Sequence, residues 1–238
     1  MFRRFLHSAL ILLSLGVVVS SAADFWQKKK FSEWIPKEVQ EMLNNSPWAM
    51  RVEVAVSQSR PDGGGANAGG GRASARPPNP YQVSPGHGSG TGPDVGGPPP
   101  TTPLLVRFHA ALPIKQAVAV ARFGDGVLKS PEAATMLSRK EDAYVIGITG
   151  PQRLLIADPA ELKESARLVI KGRDPIAAEN VTADNGAAGA AVYFFFPRGT
   201  NPIKLEDNSF ELQVKFPSFQ LKYRFKLKEM IFEGNLEI

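Results

Sequence analysis

Residues Ser209–Lys228 read "SFELQVKFPSFQLKYRFKLK". Apolar side chains occupy alternate positions: Phe210, Leu212, Val214 and Phe216, then Phe219, Leu221, Tyr223, Phe225 and Leu227. Successive side chains of a strand point to opposite faces, so each half has one apolar and one polar face. Pro217-Ser218 between the halves suits a tight turn, which predicts an antiparallel hairpin. The polar face of the second half carries Gln220, Lys222, Arg224, Lys226 and Lys228.

The segments around this hairpin extend the sheet. "MIFEGNLEI" (Met230–Ile238) predicts a further strand with Gly234 as a bulge. "GAAVYFFFPRG" (Gly189–Gly199) is a near-continuous apolar run, as expected of a central strand. "DAYVIGITG" (Asp142–Gly150), "PLLVRFHAAL" (Pro103–Leu112) and "RVEVAVSQ" (Arg51–Gln58) read as strands, and "ARLVIKG" (Ala166–Gly172) turns into one. Helices are marked by their caps and prolines. Pro36 opens one that runs to Leu43. Pro113 opens another, closed by Gly124. Ser130 caps a third that reaches Ser138, and Asp158 caps a short fourth. The class is therefore α+β: an antiparallel sheet or sandwich with short helices inserted between the early strands.

Between the first two strands lies a Gly/Pro-rich stretch, residues 59–103, with Tyr81 its sole aromatic. Such a composition buries too little to fold and predicts a long disordered loop. The segment before it, from Asp24 to Gln58, is too short to fold by itself, since chains under about 40 residues rarely do so without disulfides or metals. The expected organisation is one α+β domain over 24–238, interrupted by the loop, with the flanking strands in one sheet.

The first residues, "MFRRFLHSALILLSLGVVVSSAADFW", place Arg3 and Arg4 before an apolar run from Ala9 to Val19, followed by Ser21-Ala22-Ala23. This is the pattern of a signal peptide over 1–23, and it predicts export to the periplasm or the extracellular space. The run is short for a span, which needs about 20 residues, and an uncleaved anchor is the alternative. No second long apolar stretch follows, so no transmembrane segment is expected after cleavage. The 238-residue chain has a formal charge of +5, of which Arg3 and Arg4 supply two. The remaining excess is too mild to point to nucleic acid. With no cysteine, disulfides, thiolate metal sites and a cysteine nucleophile are excluded.

Four runs, "EW…KEVQEMLNNSPWA", "VRFHAALPIKQA", "FFFPRGTNPI" and "FKLKEMIFEGNLEI", resemble a set of uncharacterised exported proteins of acidobacterial-type bacteria. Those often show Trp-Ser-Ala or similar where this chain has Phe108-His109-Ala110. The resemblance covers most of the chain after residue 23. It implies export and a single module, and it transfers no catalytic residue.

Little in the chain points to catalysis. Of three histidines, His7 lies in the signal and His87 in the Gly/Pro stretch. His109 falls at the end of a strand and is expected to pack or to lie at the surface. No metal-ligand spacing, nucleophile elbow or phosphate loop is present. No catalytic residue, metal or cofactor is therefore assigned. Asp125, Glu141, Asp142, Glu206 and Asp207 are candidates for a carboxylate pair by loop position alone.

Two groups of residues invite binding. Trp26, Trp34 and Trp48 cluster near the start of the folded chain, either plugging a core edge or forming an aromatic platform in which Trp26 and Trp34 take part. Lys222, Arg224, Lys226 and Lys228 form a basic stripe on one strand. The stripe either guards an edge or meets an anionic envelope component, to which Gln27–Phe31, "QKKKF", adds charge. The leading expectation is an exported, non-enzymatic binding or scaffold module of the cell envelope. The alternatives are a carboxylate-based hydrolase of envelope polymers, and a peripheral membrane or apolar-ligand carrier.

Overall fold

The computed structural model describes residues 25–56, 101–186 and 189–238. The expected signal peptide and all of the Gly/Pro stretch up to residue 100 lie outside the described residues. In chain order the elements are α1 (Phe25–Lys28), α2 (Pro36–Asn44), β1 (Ala49–Ala55), β2 (Thr101–Phe108), α3 (Leu112–Phe123), α4 (Pro131–Ser138) and β3 (Ala143–Gly150). Then follow α5 (Gln152–Leu155), α6 (Pro159–Ser165), β4 (Arg167–Ile170), β5 (Ile176–Ala177), β6 (Asn180–Gly186) and β7 (Gly189–Pro197). The hairpin strands β8 (Ser209–Lys215) and β9 (Gln220–Lys226) and the two-residue strands β10 (Ile231–Phe232) and β11 (Asn235–Leu236) complete the fold.

The strands form two antiparallel sheets, of order β1-β2-β3-β7-β6 and β5-β4-β8-β9, plus the small β10-β11 pair. The fold is α+β, with the helices concentrated between the early strands. The sheets meet through aromatic rings. Phe108 of β2 lies edge-on to Phe210 and Phe225 of the second sheet, at 6.2 and 5.9 Å between centroids. Phe194 of β7 meets Phe216 in the same way at 6.4 Å. These pairs follow from the alternation: Phe210, Leu212, Val214, Phe216, Leu221 and Phe225 are all buried. The turn between β8 and β9 is closed by Phe216 N–H donating to the Phe219 carbonyl at 2.9 Å, with Pro217-Ser218 at its centre. β7 lies between β3 and β6, a central place for the near-continuous apolar run that forms it.

β1 and β2 are direct neighbours, paired from Ala49↔Arg107 to Ala55↔Thr101. β2 starts at Thr101, so residues 101–103, read as the end of the loop, belong to the strand. Pro103 is accommodated because β3 reaches only as far as Leu105, leaving β2 paired on one side at that point.

The C-terminal segment departs from expectation. It is not one strand with a bulge but a tight hairpin, with Ile231 opposite Leu236 and Phe232 opposite Asn235. Glu233 and Gly234 both have positive φ, 48° and 79°. That is the backbone of a type I′ turn, whose twist matches that of the flanking strands. β5, β6 and α5 were not foreseen. β6 is largely polar and exposed along its length, so it lacks the apolar alternation that marks a strand.

Candidate functional site

The basic stripe belongs to a larger surface. β9 ends at Lys226, and Leu227–Glu229 turn into a short 3-10 helix. Lys228 therefore leaves the strand, and the expectation of four cations in one straight row is corrected to three. Leu227 is buried, and it is the folding of this turn around Leu227 that carries Lys228 elsewhere. Lys222, Arg224 and Lys226 remain on the outer face and are exposed.

Cross-strand pairing adds further residues. Lys222 faces Gln213, which faces Arg167; Arg224 faces Glu211, which faces Val169; Lys226 faces Ser209. Lys215, two positions beyond Gln213, shares this face by the period-2 rule. The outer face of the second sheet thus presents Arg167, Lys215, Lys222, Arg224 and Lys226, all exposed, against Glu211. Glu211 accepts from Gln213 at 2.7 Å and from Arg224 at 3.3 Å, so its charge is engaged within the face. Lys226 reaches Glu229 at 2.8 Å, but both side chains are more than half exposed, and such pairs contribute little. Arg167, Lys215 and Lys222 form no ion pair among the described residues. Neighbouring strands lie about 4.8 Å apart and alternate residues about 6.8 Å apart. Those spacings are below the Debye length of about 8 Å at physiological salt, so the fields of adjacent cations add.

The tryptophans do something different. Trp26, Trp34 and Trp48 are 5%, 4% and 0% exposed. Trp26 packs edge-on to Trp48 at 6.0 Å, Trp48 to Phe232 at 6.3 Å, and Phe25 to Trp34 at 5.3 Å. Trp48 Nε1 donates to the Glu237 carbonyl at 2.7 Å. The reading of Trp26 and Trp34 as an exposed platform is corrected: these rings tie the N-terminal segment to the C-terminal hairpin, and burying their large apolar area is what holds them inside. Trp26 does border a groove of about 540 Å³ together with Lys228, Glu41, Asn45 and Ile231. Two residues singled out from the sequence, Trp26 and Lys228, are thus brought together there. Within "QKKKF", Gln27 donates to the Ile231 carbonyl at 2.7 Å and Lys29 pairs with Glu38.

Two of the loop carboxylates are engaged by arginines. Asp207 is bound to Arg173 at 2.7 Å and Glu141 to Arg139 at 3.1 Å. Among the described residues no three His, Asp or Glu side chains gather as a metal site. No described helix is long and apolar enough to cross a membrane.

His109 sits just past β2, and its backbone N–H donates to the Val145 carbonyl at 2.7 Å. Its ring lies edge-on to Tyr193 at 5.1 Å. Burial, with the Arg107 charge adding to it, lowers the pKa to about 4, so the ring is neutral at ordinary pH. Arg107 itself donates through Nε and Nη2 to the Leu43 carbonyl, at 2.9 and 2.6 Å, and so caps the last turn of α2 with positive charge. Burial lowers its pKa as well.

Arg167 and Lys215 escaped the sequence reading. Lys215 was within reach, because the hairpin register places it beside Gln220. Arg167 was not, since its place depends on β4 pairing with β8. Comparison with family models, curated proteins and solved structures gives no match to this chain.

Proposed function

We propose that the protein is an exported, non-enzymatic binding or scaffold module of the cell envelope, and that it engages an anionic envelope component through the outer face of the second sheet. The observation that supports this reading is the set of five exposed cations facing one already engaged carboxylate on a single sheet face. A face that served only for solubility would intersperse both signs. Export rests on the signal pattern of residues 1–23.

The test is cosedimentation with phosphatidylcholine vesicles, with and without phosphatidylglycerol, and affinity electrophoresis in an acidic polysaccharide. Each cation near an anionic surface contributes about 1 kcal/mol, so Lys222→Gln, Arg224→Gln and Lys226→Gln together should weaken binding by about two orders of magnitude. Binding should also fall steeply with added salt. A triple variant that binds like the parent, or a parent that ignores both anionic partners, sinks the proposal. If the triple variant only aggregates more readily, the cations guard the free edge of β9 instead.

A further inference from the structure

α3 and α4 border a cleft of about 570 Å³, and His109 contributes to its lining. Small-molecule sites span roughly 300–1,000 Å³. Val118 on α3 and Met136 on α4 supply apolar surface, backed by Ile114, which is buried one turn before Val118. Methionine adapts its shape to a varied ligand. Lys115, Arg122 and Arg139 stand against Glu132 and Glu141 around the same cleft, an excess of one positive charge with the imidazole neutral.

The imidazole is placed by the sheet beneath it. Gly147 lies under the ring: a Cβ built there would come within 2.6 Å of His109 Nε2 and 3.2 Å of Tyr193 Cδ1. Only a residue without a side chain lets the ring settle onto β3. No side-chain hydrogen bond ties the ring among the described residues; burial and the Arg107 charge alone govern its titration. A neutral imidazole offers one N–H donor and one acceptor nitrogen, and the part of the ring that borders the cleft can present one of them to a ligand. The Arg107 charge that disfavours an imidazolium at this point favours an anion beside it.

The rim can respond to such an anion. Arg122 pairs with Glu132 at 3.6 Å, with side chains 67% and 71% exposed, and its guanidinium lies over the Phe123 ring at 5.2 Å. Arg139 is 73% exposed. An exposed pair such as Arg122–Glu132 contributes little, so that guanidinium can turn to a ligand carboxylate at small cost, and if Arg139 turns as well, Glu141 keeps Lys115 at 3.6 Å.

We propose that this cleft binds a small amphiphilic carboxylate, an organic acid with a compact apolar body. The carboxylate accepts from the His109 ring N–H, the body packs on Val118 and Met136, and Arg122 and Arg139 close the rim. This site is separate from the basic sheet face and stands or falls independently of it.

The test is NMR of the full chain at neutral pH, with the His109 ring signals assigned by their absence in His109→Gln. The probes are phenylbutyrate and its neutral counterpart phenylbutanol. Phenylbutyrate should shift the His109 signals saturably, and phenylbutanol should bind at least about tenfold more weakly, the factor expected from one modest charge-assisted contact. Met136→Trp, which fills the cleft, should abolish the shift while the circular dichroism spectrum stays unchanged. The exposed double variant Arg122→Gln, Arg139→Gln gives the same readout without touching the cleft wall, and should weaken phenylbutyrate but not phenylbutanol. Absence of a saturable His109 shift overturns the proposal. So does a shift that survives both variants, or equal binding of the acid and the alcohol.

Discussion

Trp48→Ala removes the side chain on which the N-terminal and C-terminal segments converge. The indole is fully buried, meets Trp26 and Phe232 edge-on, and gives its N–H to the Glu237 carbonyl at 2.7 Å. Truncating a buried tryptophan typically costs about 3–5 kcal/mol. Leaving the Glu237 carbonyl without its donor adds about 1–3 kcal/mol where water cannot reach it. The two costs overlap, because the cavity admits some solvent, and about 4–5 kcal/mol is the expected total. Domains are stable by only about 5–15 kcal/mol. With a urea m-value of about 3 kcal/mol/M, the midpoint should fall by roughly 1.5 M. Trp48→Phe keeps the ring contacts and loses the donor, so its cost should be about 1–3 kcal/mol. Urea titrations followed by far-ultraviolet circular dichroism measure both without relying on the fluorescence being removed. A Trp48→Ala curve that overlays the parent would show that the aromatic cluster does not hold these segments, and would return the tryptophans to the role of a binding surface.

Gly147→Ala should destabilise the fold by about 1–3 kcal/mol through overpacking against His109 and Tyr193. Adding His109→Ala should recover part of the loss, and a double-mutant cycle in urea measures the coupling. Because the folded-state pKa of His109 is lowered to about 4, the unfolded chain binds the extra proton between there and about 6.5. Stability should therefore be complete above that window and fall as pH drops through it, by up to about 3 kcal/mol, with His109→Gln lacking this component. Replacing residues 60–99 by a short Gly/Ser turn should raise stability by up to about 1.5 kcal/mol, because Ala55 and Thr101 are already paired and the loop to be closed shortens roughly fivefold. A drop in thermal midpoint for that variant would count against the reading.

The pattern of the chain determined which faces are apolar. Alternation in β8 and β9 marked the residues that meet the other sheet, and the two-residue turn at Pro217-Ser218 made the hairpin. Pro36, Pro113, Ser130 and Asp158 marked helix starts, since caps and first-turn prolines act within a few residues. These are local effects, and a linear sequence displays them. Tertiary structure alone decided where Arg167 stands relative to Lys222, because β8 lies between β4 and β9 in the sheet and brings the two together through Gln213. It also took Lys228 off the stripe and turned the C-terminal segment back on itself at Glu233-Gly234. The cleft at His109 depends on α3, α4 and β2 together, and on a glycine in β3 that shares no periodicity with any of them. Local propensity acts over a turn or a strand, whereas a binding surface is made by pairings between distant segments, whose energies depend on strand order and register.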